Sequence, residues 1–266
     1  MRKIVSILIV ALVSSMSIQS AMAWGGWGHR IVAYIAEQHL TPEANEKCQH
    51  YLKHNLPHYS SWQDYWRHSD PFKEISFWHS SYVNKRYDII GFKGDETRDA
   101  AYQIDRIVNE MNKGKYKNMS DSIVAVNLKL LIHMVGDMHC PSHIFYTKDF
   151  GYKGKSIYVK GEKVNFHKFW DSSPQYMHPK WKLDRFAKAY DTYSPKEIKK
   201  IGKGAASKWS VQNAHNMQPI YEYWSKDAEF AKFSKEQRKQ IEDTIHEQLA
   251  FAGYRLAATL NKIFSK

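Results

Sequence analysis

Cysteine is nearly absent from this chain: Cys48 and Cys140 are the only two in 266 residues. Two cysteines cannot build a disulfide scaffold, so the fold must rest on a packed core. One bridge or two free thiols both stay open. Proline and glycine are also sparse, at 8 and 13 residues, which excludes collagen-like and low-complexity architectures. The one long apolar run, residues 4–13, is too short to span a bilayer, and no later stretch qualifies. Acidic residues are in short supply, 27 against 39 Lys and Arg, for a formal charge of +12. Such an excess favours polyanions, whether nucleic acid, phospholipid surface or acidic polysaccharide. Solubility alone would account for it equally well.

Hydrophobic residues make up 43% of the chain and aromatics 14%, enough to fill the core of one large domain. Residues 1–23 carry the marks of a secretory signal peptide. Arg2 and Lys3 form the positive start, the apolar run follows, and Ala21-Met-Ala23 is a small-residue cleavage site. The mature protein is expected to begin at Trp24 and to be exported, to a periplasm or beyond. Loss of Arg2 and Lys3 lowers the formal charge to about +10.

Residues 24–266 read as a single all-α domain. Helices are expected over residues 31–40, from Thr41-Pro42 onward, over 96–111, over 195–209 with Ser194 as cap, and as one long helix or two from Ser234 to residue 264, where Ser234 and Gln237 form a capping box. Ile75 to Val83 is a short aromatic and β-branched stretch. Residues 147–164 read as an exposed loop or small hairpin. No strand pattern runs long enough to predict a sheet.

The chemistry concentrates in Leu131-Ile-His-Met-Val-Gly-Asp-Met-His-Cys-Pro-Ser-His143. Ser120 caps a helical pattern that ends near Pro141, so His133 and Asp137 share one helix face a turn apart. His143 follows on the turn beyond. Imidazoles and a carboxylate at this spacing suit a divalent metal with N and O ligands, zinc above all. A lone His-x-x-x-Asp could equally cap or solvate a helix end. A second copy, His167 and Asp171 behind the cap residue Asn165, argues against that. Gly25, Gly26 and Gly28 let the chain fold back near Trp24, whose freed α-amine could bind metal.

Taken in order, these stretches resemble the class I (S1/P1) nucleases, which share a mostly helical fold with zinc-dependent phospholipase C. The resemblance covers essentially all of residues 24–266. It rests on Trp24, on His29 five residues on, on Trp62-x-Asp64-x-x-Arg67, on the lone His79, and on the His133/Asp137/His143 and His167/Asp171 groups. It implies three zinc ions. One would be held by Asp64, His79, His133 and Asp137, a second by the Trp24 amine and carbonyl, His29 and the shared Asp137, and a third by His143, His167 and Asp171. It also implies hydrolysis of single-stranded DNA and RNA to 5′-phosphate products and removal of 3′-phosphates. Asp64, Asp137 and Arg67 would be catalytic, Arg67 lying near the scissile phosphate. His139 falls outside the pattern and is expected to be a non-ligand. A monomer is expected.

The chain departs from the pattern in two places. Ser80 and Tyr82 stand where the nucleases commonly hold the base with an aromatic and an Asp, so Tyr82 and Tyr146 become candidate base contacts. Trp209-Ser-Val-Gln-Asn213 lacks the acid usual in its stretch. The alternative activity is a phospholipase C on lipid phosphodiesters, whose last ligand is typically Glu where this chain has Asp171. A non-catalytic zinc or nucleic-acid binder is the third reading.

Overall fold

The computed structural model describes residues 24–146, 155–222, 224 and 227–265. The expected signal peptide and residues 147–154 of the expected loop lie outside them. The all-α expectation is borne out. The N-terminal helices are α1 (Gly26–Gln38), α2 (Pro42–Leu52), α3 (Leu56–Tyr59) and α4 (Trp62–Trp66). Thr41 Oγ1 accepts the Ala44 N–H to start α2, with Pro42 at its first position. After a 3₁₀ turn at Lys73–Phe77 comes strand β1 (Ser81–Val83). The aromatic stretch from Ile75 is thus only half extended.

Helix α5 (Ala100–Met111) starts four residues later than its apolar pattern suggests, because the Asp99 carboxylate accepts the Ala101 N–H and fixes the start there. Helix α6 (Asp121–Met138) begins at Ser120, as expected, and is buried along most of its length. Being apolar on nearly every face, it can only sit at the centre. Strand β2 (Ile144–Tyr146) pairs parallel with β1, setting Tyr82 opposite Phe145.

Strands β3 (Ser156–Val159) and β4 (Glu162–Asn165) form the expected hairpin. Against expectation they belong to a small three-stranded sheet, completed by β5 (Asp227–Glu229) parallel to β3. The third strand is a short polar segment with no alternating pattern to announce it. Helix α7 (Phe166–Met177) starts at Asn165, whose side chain accepts the Lys168 N–H at 2.7 Å.

Helix α8 (Leu183–Tyr190) follows. The single helix expected over 195–209 is two: α9 (Pro195–Ile201) and α10 (Ala206–Glu222). The break is at Gly204, at φ +111°, where only glycine sits without strain. The Asp105 carboxylate then caps α10 by accepting the Ala206 and Ser207 N–H groups at 2.7 and 3.1 Å. Helix α11 (Lys235–Phe264) is one continuous 30-residue helix with the predicted Ser234/Gln237 box. It lies against α1 so closely that a Cβ on Gly253 would meet Ile35 Cγ2 at 2.6 Å. Cys48 and Cys140 are both buried and both free. Among the described residues, no helix is long and apolar enough to cross a membrane.

Candidate metal centre

Three backbone segments deliver the first group of side chains. The first turn of α1 carries His29, α4 carries Asp64, and the last turns of α6 carry His133 and Asp137. His29 Nε2 lies 3.0 Å from Asp137 Oδ1, and His133 Nε2 lies 3.2 Å from Asp137 Oδ2 and 3.6 Å from Asp64 Oδ2. The two imidazoles stack with centroids 4.1 Å apart. His29 can come this near only because residue 136 is glycine: a Cβ there would meet His29 Nδ1 at 2.8 Å.

These groups are buried, yet their contacts are not hydrogen bonds. Both ring nitrogens of His29, both oxygens of Asp64 and of Asp137, and Nε2 of His133 have no hydrogen-bond partner. Leaving one buried polar atom unsatisfied costs about 1–3 kcal/mol. So many in one place converge on a shared point rather than on each other. N and O donors aimed at a common centre fit a divalent cation of zinc type. His133 is already oriented for this, since its Nδ1 donates to the Ser60 carbonyl at 2.7 Å and frees Nε2 for the centre.

The second group comes from the turn after α6 and from the start of α7. His143 Nε2 and His167 Nε2 are 2.9 Å apart, and His167 Nε2 is 3.5 Å from Asp171 Oδ2. His143 Nδ1 donates to the His79 carbonyl at 2.7 Å, again leaving Nε2 for the centre. Ser142 Oγ donates to Asp171 Oδ1 at 3.3 Å. His29, Asp64 and His133, and separately His143, His167 and Asp171, each bring ligand atoms within 4.8 Å of one another. Both triads are candidate metal-binding groups.

Burial and neighbouring charge set the protonation states. Burial lowers the pKa values of His29, His143 and His167, so each tends to the neutral form that binds metal. Burial also carries His79 down to about 4, against the upward pull of Asp137. His133 is pushed down by burial too, but Asp137 and Asp64 outweigh it and raise its pKa well above the ordinary value. Burial works to raise Asp137, yet His133 and His29 overcome it and hold Asp137 well below the carboxylate range. Burial raises Asp171 well above that range, outweighing the downward pull of the Ser142 hydroxyl and Arg67.

The other expected site residues fall as follows. Arg67 is 6% exposed, with Nη1 3.5 Å from Asp64 Oδ1 and 3.2 Å from His79 Nε2. It is therefore a buried part of the site. His79 stands between the two triads and belongs to neither, its ring 5.2 Å from that of His143. Trp24 is fully buried, and its backbone N–H is directed to the Cys140 thiol while its carbonyl accepts the His29 N–H. Ser80 is buried, with Oγ 3.4 Å from His143 Nδ1. Tyr82 stacks on Phe145 at 5.2 Å. Tyr146 turns away, its hydroxyl donating to the Ala214 carbonyl and its ring packing on Tyr221. His139 points elsewhere: Nδ1 donates to Val135 O, and Nε2 accepts from Arg255 at 2.8 Å. In the stretch that lacks its usual acid, Gln212 Oε1 accepts from Arg255. Sequence reading passed over Ser60, Gly136 and Ser142, which contribute a carbonyl, an empty space and a hydroxyl.

The S1/P1 Nuclease family pattern matches residues 24–265. The chain is 25% identical to Nuclease S1 of Aspergillus oryzae, covering 93% of this chain and 94% of that protein. It is 26% identical to Nuclease P1 of Penicillium citrinum, with 90% and 97% covered. Endonuclease 2 of Arabidopsis thaliana is 24% identical, with 91% and 90% covered.

Proposed function

Because the chain belongs to the S1/P1 nuclease family, we propose that it is an exported, three-zinc phosphodiesterase that cleaves single-stranded DNA and RNA to 5′-phosphate products and removes 3′-phosphates from nucleotides. That it is a hydrolytic nuclease follows from membership. The observation that carries the finer reading is the buried, unsatisfied set of N and O atoms on His29, Asp64, His133 and Asp137, with the His143, His167 and Asp171 triad alongside.

In this reading Asp64, His79, His133 and Asp137 would hold one ion, and His29, Asp137 and the Trp24 amine and carbonyl would hold a second. His143, His167 and Asp171 would hold the third. Zinc there would supply Lewis acidity and a water whose pKa falls to about 7. The chain's own residues do the rest. Ser60 and His79 carbonyls lock the His133 and His143 tautomers, so that no ring must turn during the reaction. Asp137 presents one oxygen toward His29 and the other toward His133, which lets one carboxylate serve two centres. Arg67, held between Asp64 and His79, offers its guanidinium to a phosphoryl oxygen as negative charge builds on it. Ser80 lies beside His143, Tyr82 pairs with Phe145 on the following strand, and both would contact the base side of the substrate. Signal-peptide removal matters chemically, since it turns the Trp24 amide into an amine with a free lone pair.

The test uses purified protein starting at Trp24, assayed on single-stranded RNA, single-stranded DNA and phosphatidylcholine, each with chelator and then with zinc restored. Zinc-dependent cleavage of both nucleic acids is expected. Lipid cleavage without nucleic-acid cleavage would move the chain to the phospholipase reading. Turnover that survives thorough chelation would end the metal reading altogether.

A further inference from the structure

Most of the 12 Phe, 9 Trp and 17 Tyr side chains are buried or half-buried. Tyr65, 76% exposed, and Trp66, 46% exposed, are neighbours on the surface. They occupy the two positions between Asp64 and Arg67, on the same short helix α4. Leaving such large apolar rings in water forgoes the gain from burying them. Trp66 is not a loose side chain, however. Trp62, one turn back, lies 6.2 Å from Trp66 at an interplanar angle of 28°. Phe72 closes edge-on against both, at 5.2 Å from Trp62 and 6.1 Å from Trp66. Lys129 places its ammonium 5.4 Å over the Trp62 ring. The result is an aromatic shelf, braced through Trp62 and Phe72 with a cation behind it, on the opposite side of α4 from the buried Asp64 and Arg67.

We propose that Trp66, with Tyr65, is a nucleobase-stacking subsite for nucleotides flanking the cleaved phosphate of a single-stranded substrate. The inference rests on the nuclease reading of the adjoining centre and adds a second contact region to it. Three observations point to a polynucleotide. Both rings offer a planar, sequence-tolerant face, and Trp66 is fixed in direction by Trp62 and Phe72, as base stacking requires. A cation, Lys129, sits behind the shelf, and the mature chain carries a formal charge of about +10. The shelf also lies around one helix from the Asp64 and Arg67 face, about 10–12 Å across. A strand leaving the site crosses that distance in roughly two or three nucleotides, at about 3.4 Å or more each. A duplex cannot use the shelf, because its bases are already stacked, so the shelf favours unpaired strands.

The experiment measures kcat and KM for a dinucleotide and for a twelve-nucleotide DNA strand, using wild type, Trp66→Ala, Trp66→Phe, Tyr65→Ala and the control Tyr102→Ala. The control removes another exposed aromatic, carried on α5. For Trp66→Ala the strand's KM should rise roughly 5- to 150-fold relative to the dinucleotide's, the range that loss of one stacked base spans. Trp66→Phe should recover most of this, and Tyr102→Ala should match wild type. A 5-bromouracil strand irradiated on the protein should cross-link to Trp66 or Tyr65.

Several results would overturn the proposal. One is an unchanged strand-to-dinucleotide ratio in Trp66→Ala. Another is an equal loss on both substrates in the Phe variant. A third is loss of self-association or of vesicle binding with strand KM intact, which would assign the shelf to a second copy or to lipid. If wild-type protein cleaves neither DNA nor RNA, the nuclease reading fails first, and that result is distinct from all of these.

Discussion

His133 and Asp137 close the last turns of α6 with neither side chain exposed, whereas His167 and Asp171 open α7, where His167 keeps 23% of its side-chain surface. Both pairs have the same four-residue spacing on a helix. In α6 a second histidine, His29, arrives from another helix, and Asp137 is held far into its ionised range. In α7 the second histidine is His143, which burial holds neutral, and burial drives Asp171 the other way against the weaker pull of Ser142 and Arg67. The spacing creates the pair, and the packing around it decides the charge state and so the demand for metal. Asp99 is a third case. It is buried with hydrogen bonds from the Tyr82 and Ala101 N–H groups and the Ser81 hydroxyl, and burial still lifts it to about 6. Neutral donors do not hold a buried carboxylate ionised as firmly as neighbouring imidazoles do.

The comparison can be broken most severely at Asp137. Asp137→Ala removes a carboxylate that faces two imidazoles, so turnover on single-stranded DNA should fall on the order of 10³-fold, with lower metal content by elemental analysis. A loss no larger than that of Asp171→Ala would contradict the shared role. Gly136→Ala attacks the α6 site alone by pushing His29 away from Asp137. A displacement near 1 Å costs about 10²-fold in rate. Metal titration should show the His143, His167 and Asp171 group still binding, and an equal loss at both groups would mean that the two are not separable.

Asp99 tests the electrostatic half of the comparison. Its folded pKa is raised, so its contribution to stability is full below the unfolded value and is lost as pH rises through about 6. The fall should amount to about 2–3 kcal/mol between pH 4 and 6. Urea midpoints across that window should flatten in Asp99→Asn, and an unchanged slope would show that another group titrates there. The smallest effect is expected at Asn165. Asn165→Ala removes the α7 cap and should cost about 1 kcal/mol of stability by urea unfolding, with the α6 group unaffected.

Much of the centre could be read along the chain because helix geometry is local. Ser120, Asn165 and Ser234 announce their helices, and a turn of 3.6 residues puts each His above its Asp. The places where sequence reading failed are those where distant segments decide. The start of α5 is set by Asp99, and the α9–α10 break follows from Gly204 with Asp105 capping the new helix from across the fold. Strand β5 has no apolar alternation of its own and exists because β3 offers an edge. Ser60, Gly136 and Ser142 carry no signature, because their use depends on which ring comes to rest beside them.

The sequence by itself determined the helical class, the caps, the two His-x-x-x-Asp turns and the types of donor atom, since all of these follow from neighbours within a few residues. Only the tertiary structure decided that His29, Asp64 and α6 meet at one buried point, that Arg67 turns inward, and that Tyr65 and Trp66 stay outside. Those outcomes depend on which surfaces exclude water together, and burial is a property of the whole packed chain.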